Sequence, residues 1–403
     1  MKITIVGMGM GSSDTLTLGG LHALEQAQLV IGAGRLLGSI PAGCSAKKQE
    51  AIMPEVIAHL VEENQCLQNI CVIMSGDSGF YSGAKKLLPL LSAYDVTVLP
   101  GIATVQYMAA RLGRSWQGVH LVSAHGQECN IVGNILMADE TFFLTGGTIT
   151  PKTIIEQLHT AEIPGITIHV GENLSYPNEQ MTSGTPQELV NMSFAPLSAV
   201  WVHREPLPKV HGYVTGGIPD ELFIRGAVPM TKQEVRAIAL AKLGISESDV
   251  LYDIGAGTGS VSVEMAHASP MAQVFAVEVK EEACELVRQN RARFGAYNIT
   301  LVQGSAPEAM ELLPKPNAAF IGGSKGNIHA ILRMLKQRNP DVRVVVTAIA
   351  LETLSEASAA LKELGFQNIS VTQIAVSRTN AVGGYHMLTA QNPVFILSAG
   401  GEH

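Results

Sequence analysis

The stretch YDIGAGTGSVSVEMA, Tyr252 to Ala266, constrains this chain more than any other. An apolar run interrupted by Asp253 leads into Gly255, Gly257 and Gly259, three glycines in five residues, and then into a helical pattern. Glycine adopts backbone conformations closed to other residues and lets a ligand or another loop come close. A strand, a glycine turn and a helix in that order describe the start of a nucleotide-binding α/β sheet. The spacing then sorts the ligands. A dinucleotide fold calls for GxGxxG and a P-loop for GxxxxGK[ST]. Here GxGxG has neither the wider third interval nor the lysine, and it suits S-adenosylmethionine, which carries no phosphate. Glu278 ends the next apolar run, 23 residues after Gly255. A carboxylate there can accept both ribose hydroxyls. At the third strand end, Ala306 and the backbone of QGSAPEAM can lie beside the adenine edge. The bland alternative is a tight turn and an incidental surface carboxylate.

The same alternation of apolar runs and helical patterns fills the chain, so an α/β fold is expected throughout. The first half predicts strands at KITIVG, QLVIGA, ICVIMSG, VTVLPG, VHLVSA, TFFLTG, GITIHVG and LSAVWVH. The second half predicts them at VLYDIG, QVFAVEV, ITLVQG, AAFIGG, VRVVVTAI, ISVTQIAV, YHMLTA and PVFILSA. At 403 residues the chain exceeds what one core supports. A stretch from His203 to Phe223 with three prolines and little periodicity marks the divide. The domains expected are residues 1–205 and 221–403, joined by a linker at 206–220, with Thr231 as N-cap of the helix that opens the second.

A formal charge of −8 argues against a nucleic-acid binder. It leaves room for an anionic substrate, because a few clustered Arg and Lys residues can define a pocket. The five cysteines form no CxxC pair and no metal-ligand cluster, which suits a reducing cytosol and predicts no metal site. No segment reaches the roughly 20 apolar residues of a membrane helix, and the start of the chain reads as a strand rather than a signal peptide. A cytoplasmic protein is expected.

Two resemblances sharpen this reading. The segments GGIPDELFIRGAVPMTKQEVRAIALAKLG, DIGAGTGSVSVE, GSAPEA and FIGGSKGN together resemble the C15-methylating, decarboxylating enzymes of corrin biosynthesis, over roughly residues 216–400. That implies a class I, Rossmann-like methyltransferase in which Thr231, Gly255, Ala256, Gly257, Thr258, Gly259, Glu278 and Ala306 contact S-adenosylmethionine. Members often read GGSGG where this chain has Gly322-Gly323-Ser324-Lys325-Gly326. Lys325 either faces a substrate carboxylate or is a solvated loop lysine. Arg225, Lys232 and Arg236, near the same motifs, are further candidates for clamping carboxylates.

The segments VGMGMGSSDTLT, MSGDSGFYSGAKKLL, LPGIATVQYMAARLG, SAHGQ and FFLTGG resemble the class III tetrapyrrole methylases, in the order of the C5-methylating corrin enzymes, over about residues 1–205. That implies two α/β lobes around a second cofactor. Gly76, Asp77, Gly101, Ile102, Ala103, Thr104 and Thr145 would lie near the cofactor, and the Gly7–Gly11 loop near the substrate. Two usual prolines are absent, since position 10 is Met10 and position 78 is Ser78. Both loops lose a fixed φ, which leaves open a decayed, non-catalytic lobe. His125 in SAHGQ is either an acid/base or a satisfied structural histidine; Arg35, Arg111 and Arg114 could grip carboxylates, with Arg111 and Arg114 alternatively the solvated cations of one helix end.

The combined expectation is a bifunctional, homo-oligomeric enzyme using one S-adenosylmethionine per half. It would methylate precorrin-6B, or its cobalt form, at carbons 5 and 15 and decarboxylate an acetate arm to give precorrin-8. The rivals are a methyltransferase pair on another acceptor, a dinucleotide oxidoreductase, and a pairing in which one half only holds substrate for the other.

Overall fold

The computed structural model describes residues 1–124, 129–208 and 216–401. His125 and the central part of the expected linker, 209–215, lie outside the described residues. The chain divides into two compact units. One comprises Met1–Cys129, Ala138–His159 and Ile166–Arg204; the other comprises Asn130–Met137, Thr160–Gly165 and Glu205–His403.

The first unit holds two sheets. Strands β1 (Lys2–Gly7), β2 (Leu29–Gly32), β3 (Lys47–Glu50), β4 (Asn69–Met74) and β5 (Asp95–Leu99) form a parallel sheet in the order β3-β2-β4-β1-β5. Their centres are apolar on both faces because helices cover both sides, and Ile3, Ile5, Val6 and Ile31 are fully buried. The polar edge strand KKQE, β3, carries no apolar run and is invisible to a search for one. Charged residues suit an edge that must not pair further. The chain leaves β1 and β4 toward opposite edges of the sheet, which opens a crevice at their C-terminal ends.

The second sheet, in the order β6-β7-β10-β8-β9, is mixed. It comprises β6 (His120–Ser123), β7 (Glu140–Leu144), β8 (Ile166–Glu172), β9 (Gln180–Gly184) and β10 (Ser198–Arg204). Only β6 and β7 run parallel; the remaining pairs are antiparallel. Trp201 and Phe142 pack beneath helix Thr104–Leu112, and the Trp201 indole donates to Glu140 Oε2 at 2.5 Å.

The second unit is built on a seven-stranded sheet. Its strands are β11 (Val250–Ile254), β12 (Gln273–Glu278), β13 (Ile299–Gln303), β14 (Ala318–Ile321), β15 (Arg343–Ala348), β16 (Ser370–Ile374) and β19 (Val394–Ala399). The order is β13-β12-β11-β14-β15-β19-β16, with β19 antiparallel to both neighbours. That reversed strand departs from the parallel dinucleotide-binding sheet. Successive residues feed opposite cores: Leu251, Val274, Phe320 and Val345 on one face, Tyr252, Phe275, Ile321 and Val346 on the other. A hairpin of β17 (Ser377–Val382) and β18 (Tyr385–Ala390) stands outside the sheet. The predicted strand ISVTQIAV therefore ends at Ile374, and β17, polar and unalternating, carries no strand signal in its sequence. No helix among the described residues is long and apolar enough to cross a membrane.

Candidate active site

In the second unit the glycine turn sits where β11 and β14, whose connections diverge, are neighbours. Gly255 has φ +75°, and a Cβ on it would come within 2.7 Å of the Gly323 carbonyl oxygen, so two strand-end loops touch through bare backbone. Glu278, ending β12, binds this turn. Its Oε2 accepts from the Gly257 amide at 2.9 Å, and its Oε1 accepts from Val279 and Lys280 at 2.8 and 3.0 Å. Beneath the turn Asp253 is fully buried, and that burial lifts its carboxyl from an ordinary 3.8 to about 7. Ser262 donates to its Oδ2, while Oδ1 has no hydrogen-bond partner among the described residues.

A cavity of about 840 Å³ opens over these strand ends. Thr231, Gly255, Ala256, Gly257, Glu278 and Ala306 line it, as does the Gly322–Gly326 loop. Among the described residues, three lysines, Lys232, Lys280 and Lys325, stand on its wall against one acid, Glu278, inside a chain of net charge −8. Ile349, Val376 and Val394 supply an apolar side, and Gln391 and Asn392 a polar one, from the foot of the hairpin. Sequence reading missed these last residues. Thr347 and Ala348 could have been found as one more strand end; Gln391 and Asn392 carry no signal.

The cavity has room for a nucleoside-sized ligand. A Cβ on Gly323 would meet nothing within 4 Å, so the backbone there is open to the cavity, whose one lining acid among the described residues is Glu278. Lys325 holds φ +47°, a left-handed conformation that favours glycine.

Several expected contacts lie elsewhere. Thr258 is fully buried behind the cavity, and Gly259 packs against Val287, at 3.2 Å from the position of a Cβ; neither lines the wall. Arg225 is exposed but outside the cavity lining. Arg236 is the clearest correction, because it has no exposure at all. Its Nε donates to Glu264 Oε1 at 2.5 Å and its Nη1 to the Thr231 carbonyl at 2.6 Å and Asp220 Oδ1 at 3.3 Å, while Nη2 donates to the Ile218 carbonyl. The guanidinium also lies 4.8 Å from the Phe223 ring centroid. A cation so saturated cannot reach a substrate; it holds the segment that carries Thr231 against the sheet. The N-cap of helix Gln233–Leu243 is Lys232, not Thr231.

In the first unit three strand-end loops meet. A Cβ on Gly7 would come within 2.6 Å of the Gly101 nitrogen and 2.9 Å of the Gly76 oxygen. These glycines serve loop-to-loop contact as well as any ligand. Asp77 ties the loops together, Oδ1 accepting from Gly79 at 2.8 Å and Oδ2 from Gly101 at 3.0 Å. Ala103 donates its amide to Gln106 Oε1 at 2.8 Å, just before the helix that Thr104 opens. Thr145 is buried after β7 and donates to the Ser198 carbonyl at 2.6 Å.

The two missing prolines are each replaced by a hydrogen bond. The Met10 amide, which a proline would lack, donates to Thr15 Oγ1 at 2.9 Å. Ser78, also buried, donates its hydroxyl to the Leu99 carbonyl at 3.1 Å. Arg111 and Arg114 are paired with Glu179 and Glu140, at 2.6 and 2.5 Å.

Residues 221–400 match the family model of the precorrin methyltransferase domain, and residues 2–190 match that of the tetrapyrrole (corrin/porphyrin) methylases. Over 190 residues the chain is 45% identical to a probable cobalt-precorrin-6B C(15)-methyltransferase (decarboxylating) of Pyrobaculum calidifontis, covering 46% of this chain and 97% of that one. It is 26% identical over 391 residues to a precorrin-6Y C(5,15)-methyltransferase [decarboxylating] of a Sinorhizobium species, covering 95% of this chain and 92% of that one. A solved structure of precorrin-6y C5,15-methyltransferase from Geobacter metallireducens is 37% identical, covers 47% of this chain and 98% of that one, and superposes with a TM-score of 0.45.

Proposed function

The chain belongs to the decarboxylating precorrin C(15)-methyltransferase family, with a tetrapyrrole methylase domain fused ahead of it, and on that premise we propose how its two units divide the work. It is a bifunctional methyltransferase of corrin biosynthesis, acting on precorrin-6B or its cobalt form at carbons 5 and 15 and removing the carboxyl of an acetate arm. In our reading, residues 221–403 methylate C15 and decarboxylate, residues 1–205 methylate C5, each with its own S-adenosylmethionine, and 206–220 link them. A homo-oligomer is part of the same reading.

When bound, S-adenosylmethionine supplies a sulfonium methyl that an electron-rich carbon of the reduced macrocycle can attack. The protein's task is mainly to hold and align, since orientation alone can remove several kcal/mol of barrier. In the second unit Glu278 and the Gly255–Gly257 turn would hold the nucleoside, with Thr231 and Ala306 beside it. In the first unit Gly76, Asp77, Gly101 to Thr104 and Thr145 would form the corresponding cradle. Lys232 and Lys325 would pair with substrate carboxylates, and the apolar wall at Ile349 and Val376 would exclude water. The bond between the acetate methylene and its carboxylate breaks, carbon dioxide leaves, and the electron pair passes into the macrocycle until a proton from solvent completes the methyl group, so the protein's part is to orient that arm.

The observation that carries this reading is the meeting, in one cavity, of an acid-clasped glycine turn with a lysine-rich wall. Incubation of the full chain with S-adenosylmethionine and precorrin-6B, read by mass spectrometry, tests it. A product with two added methyls and one lost carboxyl is expected; absence of that product with either the metal-free or the cobalt substrate overturns it. Lys325→Ala is expected to raise KM for the tetrapyrrole about tenfold while leaving S-adenosylhomocysteine affinity intact. Equal loss of both would remove Lys325 from the substrate side.

A further inference from the structure

Arg35 is a charge without a counter-charge. It lies in the short helix Gly34–Gly38 that follows β2, and its side chain is exposed. Among the described residues it makes no ion pair. Its two polar partners are neutral hydroxyls: Nη1 donates to Tyr176 Oη, and Nη2 donates to Ser75 Oγ at 3.3 Å. Its guanidinium carbon lies 5.9 Å from the centroid of the Tyr176 ring. Glu50, which approaches the same turn, accepts the Gly34 amide at 3.2 Å rather than the guanidinium.

The placement is as telling as the missing partner. Ser75 directly follows β4, the Gly9–Gly11 loop follows β1, and Arg35 follows β2, so the three ends belong to adjacent strands of the sheet. Tyr176 comes from the loop after β8 in the second sheet and lies over Gly11 so closely that a Cβ there would collide with its hydroxyl. Gly11 itself has φ +109°. A guanidinium offers five N–H donors in a rigid fork that matches a carboxylate. Here two of its nitrogens are held in direction by hydroxyls while the charge stays unneutralised, which is the arrangement a carboxylate-recognition point needs before its ligand arrives.

We infer that Arg35, aligned by Tyr176 and Ser75, is the point at which the first unit grips a side-chain carboxylate of its tetrapyrrole. This deepens the reading that residues 1–205 methylate such a substrate. It assigns a specificity residue to that unit, distinct from the lysine wall of the second. A substrate lacking the carboxylate would lose affinity there without losing the cofactor.

The test separates binding from turnover. The full chain is titrated with uroporphyrin, a polycarboxylate porphyrin used as probe, in a Lys232→Ala/Lys325→Ala background that weakens the second unit's wall. Arg35→Gln is expected to weaken the remaining porphyrin site by about 10–100-fold, the value of a charge-assisted contact. Arg35→Lys should recover part of the loss, and Tyr176→Phe should cost less than Arg35→Gln, because the fork loses alignment but not charge. The heat of S-adenosylhomocysteine binding should not change. Porphyrin affinity untouched by Arg35→Gln overturns the inference, as does a parallel loss of S-adenosylhomocysteine binding. If Arg35→Gln weakens the porphyrin but the unaltered chain makes no C5-methylated product, the inference stands and the C5 assignment falls.

Discussion

The amide of Gly257 donates to Glu278 Oε2 at 2.9 Å, so the acid that ends β12 closes the turn that follows β11. Two motifs separated in sequence are one element in space. The carboxylate accepts three backbone amides, and hydrogen bonds to a charged acceptor are worth about 1.5–3 kcal/mol each. Glu278→Gln replaces one acceptor oxygen with a donor that faces these amides. Calorimetry with S-adenosylhomocysteine should show the second unit's affinity falling at least tenfold and the first unit's unchanged. Equal affinity in the variant would show that the carboxylate neither shapes the turn nor touches the nucleoside.

Arg236 should report on stability rather than on substrate. Removing its charge leaves Glu264 and Asp220 buried with one cation fewer, and breaking a buried pair costs about 3–5 kcal/mol. Urea denaturation of Arg236→Met should show a loss of that order in the second unit. At a temperature where the variant remains folded, KM for the tetrapyrrole should stay near its original value. A large KM change without a loss of stability would restore Arg236 to the substrate side.

Asp253 gives the second unit a pH dependence of unusual sign. Its folded-state pKa is raised to about 7 from an ordinary 3.8, so between those values the folded protein binds a proton that the unfolded chain has released. Stability from this group is present below about pH 4, falls as pH rises toward 7, and is constant beyond; the span amounts to roughly 4 kcal/mol. Asp253→Asn keeps an acceptor for Ser262 and carries no charge. The variant should gain on the parent protein as pH rises from 5 to 8 in denaturation experiments. Parallel pH profiles for the two proteins would show that Asp253 is charged in the folded state across the range.

The loops that lack the family's prolines are held by side-chain hydrogen bonds, which predicts an active rather than decayed first lobe. Ser78→Ala should weaken S-adenosylhomocysteine binding in the first unit modestly, by about 1 kcal/mol, through loss of the bond to Leu99. Met10→Pro removes the amide that donates to Thr15 and should cost at least as much, despite restoring the more usual residue. Tighter binding in Met10→Pro would mean that the Thr15 bond does not set the loop.

The two-part α/β plan, the S-adenosylmethionine-type spacing after β11 and the strand-end positions of Glu278 and Ala306 are legible in the order of residues alone. Those features are local: a run of apolar residues, a turn and an acid follow one another along the chain, and neighbouring parallel strands bring such ends together. The polar strands β3 and β17 escaped because nothing local distinguishes an edge strand of KKQE or SRTNAV from a loop. Which cations are left facing the cavity depends on folding. Arg236 and Lys232 are four residues apart on neighbouring turns, yet one is saturated by Glu264 and Asp220 in the core and the other lines the cavity. The same holds for Arg35, Arg111 and Arg114, of which the last two meet acids from distant strands and loops while the first, among the described residues, meets only hydroxyls. A side chain's charge is written in the sequence, but whether that charge is already neutralised depends on partners that folding brings from elsewhere in the chain.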